Sequence, residues 1–138
     1  MTYPIDFCPP NGVVTYEYPT QVNWLHEGIF YIYSKPGVEH TLEDAQRQTK
    51  IVKEMFGNEK VFMIIDIRKS VPMGVEARNY YSSPEGSANC SAFCFLVDSP
   101  VSKVIANLFL TVLRPKLPLK MVSSVEEAIS WGKMNNYL

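Results

Sequence analysis

What this chain has little of narrows its chemistry first. Among 138 residues there are two histidines, three cysteines and seven glycines. Three thiols, Cys8, Cys90 and Cys94, cannot all pair within one chain. Cys90 and Cys94 fall in a segment that reads as a strand, where four residues span about 13 Å. A disulfide needs Cα atoms within about 7 Å, so small buried thiols in a reducing compartment are expected. With only His26 and His40 beside them, the sequence holds no zinc-type spacing, and no metal or cofactor is expected. The scarce glycines form no G-x-G-x-x-G, no G-x-x-x-x-G-K-[ST] and no G-x-S-x-G, which removes the common nucleotide cradles and the hydrolase nucleophile turn. Charge of one sign is missing as well. Thirteen basic against fourteen acidic residues leave a net −1, too weak a field to hold a nucleic-acid backbone. Apolar runs fall short of the roughly 18–20 residues that span a bilayer. The opening Met1-Thr2-Tyr3-Pro4-Ile5-Asp6 lacks the basic start and apolar stretch of a secretion signal. The expectation is a cytoplasmic domain without a transmembrane segment and without a nucleic-acid partner.

What is there reads as alternating strands and helices. The ten prolines fall between periodic segments rather than inside them. Residues 1–12, ending Cys8-Pro9-Pro10-Asn11-Gly12, read as an extended lead-in, and residues 13–138 as one domain. Val13 to Tyr18, Val22 to Leu25 and Gly28 to Ser34 are β-branched and aromatic, with a tight antiparallel turn across His26-Glu27. Thr41-Leu42-Glu43-Asp44 resembles a capping box and starts a helix that Gly57-Asn58 stops. Val61 to Asp66 and Ala92 to Val97 are continuous apolar runs, the mark of buried parallel strands. A second helix is predicted over Val75 to Ser82. A third runs from Val101 to Leu113, opened by Asp98-Ser99-Pro100 and apolar around most of its circumference. Leu117 to Val122 reads as a last strand, and Ser124-Val125-Glu126-Glu127 caps a final helix. Helices alternating with strands imply right-handed crossovers and a largely parallel sheet, begun by an antiparallel hairpin.

Few residues suggest chemistry. Asp66 and Asp98 end apolar strands, where ligands of parallel α/β sheets gather, although aspartate there also caps turns. His26 and His40 read as solvated histidines near the hairpin and the first helix start. Arg68-Lys69, Lys103, Arg114, Lys116 and Lys120 are the basic groupings, too few for a nucleic-acid tract. Tyr80-Tyr81 with Arg78 reads either as a surface patch or as half-buried tyrosines.

The segments Leu25 to Gly37, Thr41 to Ala45, Ile65 to Arg68 and Glu76 to Tyr80 together resemble a family of small bacterial STAS-like proteins. So do Leu96 to Asn107, Arg114-Pro115-Lys116 and Glu126 to Trp131. The resemblance covers roughly residues 22–133, with Asp98 to Asn107 its most specific part. That largely uncharacterised group is similar in fold to the anti-sigma-factor antagonists of the STAS class and to the lipid-binding CRAL-TRIO domains. The resemblance implies an α/β fold with a mixed sheet of four to five strands, about four helices, and no enzymatic activity. STAS antagonists carry an Asp-Ser-Ser-Gly-like element whose serine is phosphorylated. Here Gly74, Val75 or Glu76 stands at that place and Ser70 lies too early, so the phosphoserine is not carried over.

The expected function is therefore a regulatory or protein-interaction module. Its partner surface would draw on Asp66, Arg68, Ser70, Met73, Glu76, Arg78 and Tyr80, and the apolar third helix would support a homodimer. The alternative is binding of a lipid or small apolar ligand beside that helix. Phe109, Leu110 and Leu113 would then line the pocket, with Arg114 or Lys116 for an anionic head.

Overall fold

A computed structural model describes residues 2–113 and 116–138, and of residues 112 and 113 only the backbone. Strands β1 (Thr15–Glu17), β2 (Gln21–His26), β3 (Ile29–Ser34), β4 (Val61–Asp66), β5 (Cys90–Leu96) and β6 (Leu119–Val122) form one sheet in that order. β1, β2 and β3 are antiparallel, and β3 to β6 are parallel. Between and after them lie α1 (Leu42–Phe56), α2 (Val75–Ser82), α3 (Pro100–Leu113) and α4 (Val125–Met134). The sheet has six strands rather than the four or five expected. The strand beyond the count that the resemblance implies is the edge β1, which the residues themselves indicate at Val13 to Tyr18: three exposed residues turned back onto β2 where the Tyr18 amide donates to the Gln21 carbonyl at 2.8 Å.

Local chemistry explains the boundaries. Glu27 and Gly28 both take positive φ, 50° and 78°, as a two-residue hairpin turn between β2 and β3 requires. Thr41 caps α1: its hydroxyl accepts from the Asp44 amide at 3.2 Å, and the Asp44 carboxylate accepts from the Thr41 amide at 2.9 Å. Ser99, not Asp98, caps α3, accepting from the Ser102 amide at 3.1 Å. Ser124 caps α4 in the same way through the Glu127 amide.

The strands alternate between two buried faces. Phe30, Ile32, Met63, Phe93 and Phe95 point to the face covered by α1, α2 and α3. Trp24, Tyr33, Phe62, Ile64 and Leu96 point to the opposite face, covered by α4 and the N-terminal segment, whose Phe7 is 2% exposed. Cys90 and Cys94 are free thiols on opposite faces, because the β4–β5 register shifts and leaves Ser91 as an extra residue. Burial pushes both thiols up to about 12. Among the described residues no helix is long and apolar enough to cross a membrane.

Candidate functional site: a cavity beneath the first three helices

Parallel strands β3 and β4 end side by side, and the chain leaves each of them through a serine-bearing segment, Ser34 at the end of β3 and Ser70 after β4. Above them α1 presents Gln48 and Thr49 rather than large apolar groups, and α2 is only eight residues long, roughly 12 Å of cover. Space is left between sheet and helices, a cavity of 130 Å³. Ile32, Met63, Phe93 and Phe95 form its floor, Val52 and Tyr81 one wall, Ile105 and Phe109 another. The loop after α2 also borders it and is pressed against α2, since a Cβ at Gly86 would collide with the Tyr80 carbonyl oxygen.

One side of this apolar space is polar and connected. Ser70 Oγ donates to Ser34 Oγ at 2.7 Å, and Ser34 Oγ lies 3.2 Å from His40 Nε2. Ser34 Oγ has two lone pairs, so it can accept from Ser70 and still either donate to Nε2 or accept from it, and the other ring nitrogen, Nδ1, lies 3.4 Å from Tyr81 Oη. The chain therefore runs Ser70 to Ser34 to His40 to Tyr81. Burial holds His40 below its ordinary 6.5, so the ring is neutral, and pushes the Tyr81 phenol well above the usual tyrosine range. Beside them Gln48, 6% exposed, accepts through Oε1 from Asn23 Nδ2 at 3.0 Å, while its Nε2 has no partner.

The residues singled out from sequence scatter around this site. Ser70, Met73 and Phe109 line the cavity. Asp66 is 2% exposed, and its carboxylate is held by Arg68 Nε at 3.1 Å and Nη2 at 3.0 Å. Arg68 also grips Asp6 through two bonds of 2.9 Å, so Asp66 and Arg68 clamp the N-terminal segment instead of facing outward together. Glu76 is exposed, and Arg78 and Tyr80 are half-buried on α2. Leu110 packs on the core of the cavity face, and Lys116 is exposed. The Leu113 side chain and Arg114 lie outside the described residues.

Ser34, His40, Gln48 and Tyr81 escaped the sequence reading as a group. His40 is not a solvated histidine: it is 6% exposed and hydrogen-bonded on both ring nitrogens. The available signal was position, since Ser34 ends a parallel strand just as Asp66 does, at the end where ligands gather.

A family model described as a domain of unknown function, DUF7793, matches residues 23–135. The chain belongs to that family. A search of curated proteins finds no match. One solved structure that it resembles is an uncharacterised protein of the DUF3478 family, with a SpoIIAA-like fold, from Shewanella loihica PV-4. The TM-score is 0.56 at 9% identity, over 87% of this chain and 91% of the other. A likeness at that identity concerns the fold alone, and the SpoIIAA-like fold is the STAS-like architecture that the sequence resembles.

Proposed function

We propose that this DUF7793 chain is a non-enzymatic, cytoplasmic STAS-like module that binds a small, mostly apolar molecule between its sheet and α1–α3. The cavity carries this reading. Protein interiors are packed like organic crystals, and a void of this size forfeits contacts on every side. An engineered apolar cavity of about 150 Å³ in another protein takes up benzene, so 130 Å³ suits an occupant of similar bulk. Ser34 is 4% exposed and already bonded to Ser70 and His40, which supports a binding role for the chain of hydroxyls over nucleophilic attack. Ligand-observed NMR with toluene tests the reading. Saturation transfer to toluene is expected from the native chain and not from the urea-unfolded one. Its absence in the native chain would remove the proposal.

A second reading, a protein-interaction module that self-associates through α3, rests on a different observation. Val101, Val104 and Leu108 are 53%, 56% and 38% exposed and recur at helical spacing along α3. Light scattering at tens of micromolar is expected to give a dimer that Val104→Glu dissociates. A monomer at that concentration contradicts this reading.

A further inference from the structure

We infer that the occupant of this cavity is a neutral molecule carrying one acceptor oxygen, of the class of small aryl or cyclic ketones; this deepens the ligand-binding reading and rests on it. Two lining residues hold hydrogen-bond donors that the protein itself leaves unused. Thr49 Oγ1 is buried and has no partner. Gln48 Nε2 is buried and has no partner, although the other end of the same amide is bonded to Asn23. An unmet buried donor is costly, and native proteins keep few of them. A carbonyl oxygen has two lone pairs and can accept from donors of both kinds.

The remaining walls set the rest of the molecule. The floor and sides are aliphatic and aromatic, which suits a ring or short branched chain of about six to nine non-hydrogen atoms, by comparison with the benzene-sized cavity. Charge is disfavoured from every side that the lining gives. His40 is neutral, Cys90 and Tyr81 keep their protons, Glu85 is an acid, and the described lining residues include no lysine or arginine. A carboxylate brought here would be desolvated without a counter-charge. This departs from the anionic head that the sequence suggested for Arg114 or Lys116, since Lys116 is not part of the lining.

Titration calorimetry of the full chain with acetophenone, ethylbenzene and benzoate tests the inference. Acetophenone is expected to bind at least about tenfold tighter than ethylbenzene, the order of one satisfied hydrogen bond, and benzoate not detectably. Gln48→Leu with Thr49→Val, checked for an unchanged circular-dichroism spectrum, is expected to lower acetophenone to the ethylbenzene level while leaving ethylbenzene unchanged. Ethylbenzene binding as tightly as acetophenone, or benzoate binding tightest, overturns the acceptor-oxygen inference and leaves the cavity reading standing. Failure of all three probes to bind the folded chain overturns both. Equal loss of acetophenone and ethylbenzene in the double variant would also count against the two donors.

Discussion

The two faces of the single sheet are filled on different plans. On the α4 face, Trp24 stacks on Tyr31 with 5.6 Å between ring centres and 9° between planes, and Tyr3 and Phe7 close around the pair. Polar groups stand at its rim, where Asp6, Arg68 and Asp66 tie the N-terminal segment down. On the α1–α3 face the apolar lining is equally extensive, yet it stops short of closing, and hydroxyls, an imidazole and an amide fill one side of the gap. Space remains on both sides, but of different kinds: on the α4 face a 120 Å³ recess under the N-terminal segment, edged by Asp6, Cys8 and His26, and on the other a 130 Å³ cavity beneath the helices, lined mainly by apolar side chains. The contrast follows from what each face is given. Aromatics with few rotamers come from β2, β3 and the N-terminal segment, whereas the facing stretch of α1 offers Gln48 and Thr49.

Truncation should expose the contrast most strongly. Trp24→Ala is expected to cost about 3–5 kcal/mol in urea unfolding, because the removed indole is 1% exposed and packs against Tyr3, Phe7 and Tyr31. Phe109→Ala, at a wall that already borders space, should fall at the low end of that range, about 3 kcal/mol or less. Equal losses would mean that the cavity face is as tightly packed as the other. Arg68→Ala comes next, at about 3 kcal/mol, since it leaves Asp66 buried without its partner and releases Asp6. Its effect should include faster proteolysis of the first dozen residues. Arg68→Lys should recover only part of the loss, because one ammonium cannot reproduce the paired bonds to two carboxylates.

How far the sequence could reveal this contrast depends on the element. β4 and α2 have the expected ends, and the Thr41, Ser99 and Ser124 caps stand where Ser/Thr chemistry put them, because those signals are local. The apolar runs of β4 and β5 announced burial on both faces. Phe7 was hidden, since nothing around Cys8-Pro9-Pro10 shows that the N-terminal segment folds back over Trp24. The site was hidden for the same reason. Ser34, His40, Ser70 and Tyr81 lie up to 47 positions apart (81 − 34 = 47) and acquire meaning only when β3, β4 and α2 bring them together.

Enlarging a side chain gives a smaller and more discriminating test. Ala92→Leu, on the α4 face at 0% exposure, should cost about 1–3 kcal/mol through overpacking. Val52→Leu adds one methylene beside the cavity and should stay within about 0.5 kcal/mol of wild type while weakening ligand uptake. Equal penalties in denaturant midpoints would contradict the difference between the faces. Smaller still is the pH effect of His40. Its folded pKa lies below 6.5, so the unfolded chain binds the extra proton first. Its stability contribution is full above about 6.5 and declines as pH falls from there toward the depressed folded value. Chemical denaturation between pH 7.5 and 5 should show this slope, and His40→Gln should flatten it; an unchanged slope would place the titration elsewhere.

The most direct measurement of the central claim is a residue-resolved NMR titration of the native chain with acetophenone. Amide shifts are expected at Ser34, His40, Gln48, Ser70, Tyr81 and Phe109, with Phe7, Trp24, Tyr31 and Ala128 unmoved. Shifts centred on the Trp24 side, or none at saturating ligand, would contradict the assignment of binding to the α1–α3 face.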